Sequence, residues 1–219
     1  VSVLDAACGT GMHAIALAQA GLEVAGADLS GDMIARAREN ARTAGLPLRF
    51  ETAGFGSLAA TFGAGAFDAL LCLGNSLPHL LSADALSSSL QDLARCLAPG
   101  GLLVIQNRNF ALVMQQRQRW MEPQYASEGG QEWLFLRFYD FEADGSLLFN
   151  MIRLQRKAGA PWQQTVHSTP LRPQFAAELT AALEEAGFQS PACYGDLTGA
   201  PYAPEGSGNL VLIARLPGK

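Results

Sequence analysis

Two acidic residues and two glycines near the start of the chain have the spacing of a ligand-binding edge. Asp5 ends the first apolar run, and Gly9 and Gly11 follow it in the string DAACGTG. Glycines allow a sharp turn and a close approach of backbone N–H groups to a ligand. Asp28 closes the next apolar run, at the position where doubly wound folds place an acid on a ribose diol. The pattern predicts a nucleoside site.

The charge of Asp5 favours one kind of nucleoside ligand. The stretch from Gly9 to Ala14 also satisfies the dinucleotide fingerprint G-x-G-x-x-G/A, so an NAD-linked oxidoreductase stays open as an alternative. A carboxylate beside the glycine turn would repel a pyrophosphate, whereas it would attract the ammonium group of a methionine-derived ligand. We therefore expect S-adenosylmethionine (SAM), with NAD as the weaker choice.

Alternating strands and helices must position these residues. Hydrophobic periodicity predicts strands that end near Asp5, Asp28, Glu51, Leu73 and Gln106, and helices from Met12 to Ala20, from Ser30 to Gly45 and around Leu86 to Leu97. Pro99-Gly100-Gly101 is expected to break the third helix. Strands that alternate with helices form a parallel sheet with right-handed crossovers.

The second half of the chain changes pattern. Aromatic-rich segments at 131–141 and 147–157 flank a hairpin turn, and residues 162–167 read as a third strand. We expect this insert, about 131–167, to form a small antiparallel sheet that acts as a lid. A last helix and two strands, at 192–194 and 210–216, complete the chain. We expect one domain over residues 1–219, and because Val1 falls directly in the first strand, we expect a missing N-terminal segment.

Composition excludes several classes of partner. The chain has 219 residues, a formal net charge of −5 and a pI near 5.2, which argues against nucleic acid because phosphate binding needs a basic face. No apolar run reaches the ~18 residues that a membrane span needs. The four cysteines show neither metal-ligand nor disulfide spacing. These features predict a cytoplasmic protein without a metal site.

Several short motifs carry a resemblance to a known family. DAACGTG and ADLS resemble the opening motifs of class I SAM-dependent methyltransferases. CLGNS followed by His79, and Asn107-Arg108-Asn109, resemble motifs of the glycine/sarcosine N-methyltransferases, a branch that acts on small molecules. The resemblance implies an α/β, Rossmann-like fold: a seven-stranded, mostly parallel sheet with helices on both faces, the last strand antiparallel and the inserted sheet as a lid.

The resemblance also implies a role for each site residue. Gly9 and Gly11 would contact the amino-acid portion of SAM, and Asp28 its ribose. The remaining cofactor contacts would come from Leu29 and Phe55 beside the adenine, from the backbone of Leu73, and from His79. Asn75 and Arg108 would hold the carboxylate of the acceptor and orient its amine. The implied reaction is methyl transfer from SAM to a small-molecule acceptor such as glycine or sarcosine.

Other interpretations stay open. The tyrosines that line the acceptor pocket of glycine enzymes are not evident, and Leu171-Arg172 stands where one is expected, so a different small carboxylated or polar acceptor is equally compatible. A SAM-binding module without catalysis, acting as a sensor or scaffold, is the alternative function. Arg108 could be a solvated or salt-bridged arginine at a strand end, Asn75 could simply shape a turn, and His79 could bond a backbone carbonyl. Asp28 is expected to make few contacts within the protein.

Overall fold

The computed structural model of the chain describes residues 1–218. Within them the chain forms eleven strands, β1 to β11: Ser2–Ala6, Glu23–Asp28, Arg49–Thr52, Phe67–Cys72, Leu97–Arg108, Gln124–Glu128, Gln131–Phe141, Leu147–Lys157, Gln163–Leu171, Gln189–Tyr194 and Asn209–Arg215. Six α-helices, α1 to α6, accompany them: Met12–Gln19, Gly31–Thr43, Leu58–Phe62, Ala83–Cys96, Phe110–Gln116 and Ala176–Glu185. None of these helices is both long and apolar enough to cross a membrane.

Seven strands form the main sheet, in the order β10-β11-β5-β4-β1-β2-β3. The pairs among β1 to β5 are parallel, whereas β11 runs antiparallel to both β5 and β10. The central strands are apolar because both of their faces are covered. The predicted mostly parallel sheet with an antiparallel last strand is therefore confirmed.

Helices cover both faces of this sheet, and successive residues of β1 point into opposite layers. Val3 belongs to the core under α1 and α2, and Leu4 belongs to the core under α3, α4 and α6. Buried leucines such as Leu90 and Leu183 each contribute about 1.5–3 kcal/mol by leaving water. Ser30 caps α2, since its hydroxyl accepts a hydrogen bond from the Met33 N–H at 3.3 Å.

The inserted sheet is larger than the sequence predicts. It has four strands, in the order β6-β7-β8-β9, and spans residues 124–171 instead of 131–167. Its inner end is anchored by Tyr139, Leu147 and Leu171, which pack with Phe110 of α5 in a separate apolar cluster. This cluster fixes the sheet against the end of β5, beside the edge where the candidate site residues collect.

The predicted boundary between α4 and β5 is also wrong. The structure ends α4 at Cys96, and β5 begins at Leu97 instead of Leu102. Leu97 pairs with Phe67 and Leu102 pairs with Ala69, so the extra residues bulge out of the strand between these two pairs. The Pro99-Gly100-Gly101 segment permits this bulge because Gly100 has a φ of 78°.

Candidate functional site

The carboxyl ends of the parallel strands form one edge of the main sheet, and two cavities open there. The small cavity, of about 380 Å³, is lined by Ala7, Asp28, Leu29, Ala53, Gly54, Phe55, Leu58, Ser76, His79 and Leu80. The large cavity, of about 710 Å³, lies between this edge and the inserted sheet. Ligands of open α/β sheets gather at this edge.

Asp28 connects the glycine turn to the start of α2. Its Oδ2 accepts a hydrogen bond from the Gly9 N–H, and its Oδ1 accepts one from the Ser30 N–H, each at 2.9 Å. The expectation that Asp28 makes few contacts is therefore wrong. The same carboxylate lines the small cavity, and its remaining lone pairs stay available to donors there.

The two glycines of the turn serve different purposes. Gly9 has a φ of 54°, and an added Cβ would meet open space. Gly11 has a φ of 79°, and an added Cβ would lie 2.9 Å from Cζ of Phe50 and 3.1 Å from Cβ of Ala37. Gly11 therefore permits close packing of the turn on the core, while Gly9 leaves its side of the turn open.

Asp5 is a buried acid that forms no salt bridge within residues 1–218. It is 1% exposed, and neither of its carboxylate oxygens has a hydrogen-bond partner within residues 1–218. Burial raises its pKa to about 6, with Asp28 adding a smaller upward effect, although His13 and the backbone N–H of Ala14 act to lower it. An unpartnered buried carboxylate is costly, and a cationic ligand group would relieve that cost.

The walls of the small cavity are mostly apolar. Leu29, which is 79% exposed, presents its side chain to this cavity. Gly54 gives it room, because an added Cβ at that position would lie 3.0 Å from Cδ1 of Leu29. Phe55 forms another part of the wall. One acid at the rim of an apolar slot suits a flat, polar-edged group such as a nucleoside.

Leu73 contributes through its backbone. Its side chain is 7% exposed and belongs to the core, so it does not line either cavity. Its carbonyl accepts a hydrogen bond from the Ser76 hydroxyl at 3.0 Å, and Ser76 lines the small cavity. Leu73 therefore shapes the loop that separates the two cavities.

Asn75 and Arg108 lie side by side at the ends of β4 and β5. The Asn75 Oδ1 accepts a hydrogen bond from the Arg108 backbone N–H at 2.9 Å, and the Asn75 N–H donates to the Gln106 carbonyl at 3.1 Å. Asn75 has a φ of 68°, a conformation that asparagine tolerates better than most residues. Both side chains line the large cavity, and the Arg108 Nε is buried without a partner within residues 1–218.

His79 lies between the cavities and lines both of them. Its imidazole forms no hydrogen bond within residues 1–218, so the alternative of a bond to a backbone carbonyl is not observed; its backbone N–H donates to Ser76. Partial burial lowers the pKa of His79, so the ring is neutral at pH 7. It can then accept or donate one hydrogen bond toward either cavity.

The two asparagines that flank Arg108 are structural. The Asn107 amide donates to Gln174 at 3.3 Å, and the Asn109 amide donates to the carbonyls of Pro204 and Ser207, each at 2.8 Å. Both side chains are fully buried. They fix the backbone on either side of Arg108, so this part of the motif positions the arginine.

The sequence interpretation missed two residues that the inserted sheet places in the large cavity, Arg137 and Tyr139 of β7. Burial raises the pKa of Tyr139, while the positive charges of Arg108 and Arg137 act to lower it. A tyrosine therefore does line this cavity, although it comes from β7 and not from the Leu171-Arg172 region. Leu171 lies at the wall of the large cavity, whereas Arg172 pairs with Glu178.

The residues at this edge fit SAM in two independent ways. Asp5 offers an uncompensated buried carboxylate for an ammonium group, and the small cavity offers an apolar slot with Asp28 at its rim. The residues within 1–218 provide no cluster of side chains suited to a metal ion.

The sequence of the chain is similar to those of known methyltransferases. A family model described as a methyltransferase domain matches residues 3–101. A glycine/sarcosine N-methyltransferase from Aphanothece halophytica is 31% identical over 207 residues, which cover 89% of this chain and 68% of that protein.

Solved structures share the fold. A SAM-dependent methyltransferase from Clostridium acetobutylicum superposes with a TM-score of 0.78 at 18% identity, covering 99% of this chain and 84% of that one. An amino pentose methyltransferase from Micromonospora echinaspora, solved with SAM bound, gives a TM-score of 0.71 at 21% identity, covering 98% and 83%.

These matches agree with the resemblance in the motifs. The family model and the relative favour SAM over NAD as the cofactor, and an enzyme over a module that only binds. The solved structures also agree with the fold of the seven-stranded sheet. The chain therefore belongs to the class I SAM-dependent methyltransferases.

Proposed function

We propose that this methyltransferase acts on the amine of a small molecule that also carries a carboxylate, with glycine and sarcosine as the first acceptors to test. The observation that carries the proposal is the Arg108 guanidinium, which lines the large cavity with its Nε buried and unpartnered within residues 1–218. An arginine fork binds a carboxylate through two parallel hydrogen bonds. The glycine/sarcosine N-methyltransferase relative supports an acceptor of this chemistry.

The same proposal assigns the small cavity to the nucleoside part of SAM. Asp28 would accept hydrogen bonds from the ribose, Leu29 and Phe55 would cover the adenine, and Asp5 would attract the ammonium group through the glycine turn. Gly9, Gly11 and Leu73 would shape the backbone around the ligand, and His79 would border both ligands. Leu29 supports this assignment, since its exposed side chain would be covered by a bound base.

Methyl transfer demands little acid–base chemistry from the protein. When bound, SAM supplies a methyl group on a positively charged sulfur that leaves as a neutral thioether. The task of the chain is then to align the acceptor with that methyl group and to exclude water. Arg108 and Asn75 would fix the carboxylate end of the acceptor, so that its neutral amine faces the boundary with the small cavity at His79. We assign no general base.

The setting that we propose is a single methyltransferase domain, inserted sheet included, in the cytoplasm. All four cysteines are unpaired, as is usual in a reducing compartment. The net charge of −5 supports a small molecule and not a nucleic acid as the partner.

The proposal is tested by incubating the protein with methyl-labelled SAM and a panel of acceptors. The panel contains glycine and sarcosine, methylamine as an amine without a carboxylate, and a phenol. We expect N-methylated products from the two amino acids and at most slow turnover of the others. Preferential methylation of the phenol or of methylamine would contradict the proposal, and so would a protein that binds SAM in calorimetry and methylates no amine that carries a carboxylate.

A further inference from the structure

We propose that the acceptor carries a second anionic group, which Arg137 of the inserted sheet binds while Arg108 binds the first. This inference rests on the proposed function and narrows its substrate class to amines with two anionic groups. The second group is a carboxylate or a phosphate.

The first observation is an excess of positive charge in the large cavity. Arg108 and Arg137 both line it, each has a buried Nε without a hydrogen-bond partner, and neither is within salt-bridge distance of an acid in residues 1–218. Glu122 is the single acid among the described lining residues, and its side chain is exposed. The chain as a whole is acidic, so this local charge is not a reflection of composition.

The second observation is the position of Arg137 relative to the anchored end of the inserted sheet. Tyr139 pairs with Phe149 and Arg137 pairs with Met151, so all four side chains share the sheet face that borders the cavity. Arg137 is two residues farther from the anchored end than Tyr139, about 6.6 Å along the strand. The two arginines therefore approach the cavity from different walls, one from β5 and the other from β7.

A third arginine continues the same charged face. Arg153 lies two residues beyond Met151 on β8, which makes it a diagonal neighbour of Arg137. Its Nε is also buried without a partner within residues 1–218. By contrast, Arg156 belongs to the opposite face and pairs with Glu132. Among the arginines in the strands of the inserted sheet, those without a salt bridge thus lie on the face that borders the large cavity.

The third observation is the volume of the large cavity. Cavities of several hundred cubic ångströms ordinarily enclose drug-sized ligands, whereas glycine is among the smallest amines. A cavity of about 710 Å³ would leave glycine in contact with only part of its wall. One carboxylate is satisfied by a single arginine fork, and a second guanidinium in the same partly desolvated space adds repulsion that a second anion offsets.

The test compares acceptors in matched pairs that differ by one anionic group. Aspartate is compared with asparagine, glutamate with glutamine, and O-phosphoserine with serine, and glycine serves as the single-anion reference. We expect at least one acceptor with two anionic groups to have a kcat/KM tenfold or more above that of its matched acceptor with one anionic group, and above that of glycine. The carboxylate and phosphate pairs distinguish the two sources of the second charge.

Arg137→Gln supplies the second arm of the test. We expect it to lower kcat/KM for the preferred dianion about tenfold or more, and for glycine less than about threefold. Arg137→Lys retains the charge without the fork, so its kcat/KM for the preferred dianion should lie between those of the wild type and of Arg137→Gln. Arg36→Gln removes a charge from the exposed face of α2 and should change neither value. Thermal denaturation of each variant verifies that the fold is retained.

Two results would overturn the inference while leaving the proposed function intact: glycine methylated at least as efficiently as every dianion, or Arg137→Gln lowering kcat/KM equally for glycine and for the dianions. Failure of every amine in the panel, with SAM still bound, would overturn both.

Discussion

The Asn75 side chain is joined to the backbone of Arg108 by a hydrogen bond of 2.9 Å, in which Oδ1 of the asparagine accepts from the N–H of the arginine. This bond ties the loop after β4 to the end of β5. It also fixes the orientation of the amide, because Oδ1 is committed to the backbone and the Nδ2 group remains as a donor. Asn75 is therefore a structural link, and its free Nδ2 group is the donor that we propose for the acceptor carboxylate.

Asn75→Asp separates these two functions. Aspartate still offers an oxygen to the Arg108 N–H, so the free energy of unfolding should change by less than about 1 kcal/mol. The new negative charge stands beside Arg108 and competes with an anionic acceptor, so KM for the acceptor should rise at least tenfold while the Kd for SAM stays within about twofold. Steady-state kinetics and calorimetry measure these quantities. An unchanged KM would show that Asn75 has only a structural role in the turn after β4.

Asp5 makes stability depend on pH in an unusual direction. Its pKa rises from an ordinary value of 3.8 to about 6 on folding, so the folded state binds this proton more tightly than the unfolded state does. The contribution of Asp5 to stability is therefore greatest below pH 4, and about 3 kcal/mol is lost as the pH rises through 6. Carboxylates with lowered pKa, such as Asp68, act in the opposite direction. The difference between the wild type and Asp5→Asn is thus the quantity to measure, by denaturant unfolding at several pH values.

SAM binding should reverse this effect, because a positive ligand group lowers the pKa of Asp5. We expect proton release on SAM binding near pH 6, seen as a binding enthalpy that depends on the ionisation enthalpy of the buffer. Asp5→Asn should bind SAM more weakly and release no proton at that pH. Proton release that persists in the variant would assign the effect to another group.

Asp28 should influence both stability and cofactor affinity. Asp28→Ala removes the acceptor of two backbone N–H groups, those of Gly9 and Ser30, so we expect a loss of about 1–3 kcal/mol in the free energy of unfolding. SAM affinity should fall roughly ten- to a hundredfold through loss of the charged acceptor. Glu23→Ala, at the exposed opposite end of β2, is the control. Normal SAM affinity in Asp28→Ala would leave this residue with a structural role alone.

The elements of this fold that can be predicted from sequence are those with a recognisable pattern of apolar and polar residues within a short segment. The apolar runs of β1, β4 and β5 predict buried strands, and the acids that close the apolar runs of β1 and β2 predict the ligand-binding edge. The segments that escaped prediction lack such a pattern. Helix α3 has only five residues, and β6 is exposed along its whole length.

The roles of individual site residues depend on contacts between distant parts of the chain. The need for glycine at position 11 arises from Phe50, which is far along the sequence. The placement of Arg137 in the large cavity depends on how the inserted sheet packs on α5, because the alternating pattern of β7 alone does not tell which face is covered. The cavity itself forms between two sheets and has no sequence signature.

We propose that Arg108 clamps a carboxylate of the methyl acceptor, and the kinetics of Arg108→Lys measure this role. Lysine keeps the charge and loses the fork, so we predict that kcat/KM for the best carboxylate-bearing amine falls at least tenfold while the Kd for SAM stays within about twofold. Arg36→Lys, on the exposed face of α2, should match the wild type in both values. An Arg108→Lys enzyme that methylates this acceptor as efficiently as the wild type would contradict the claim.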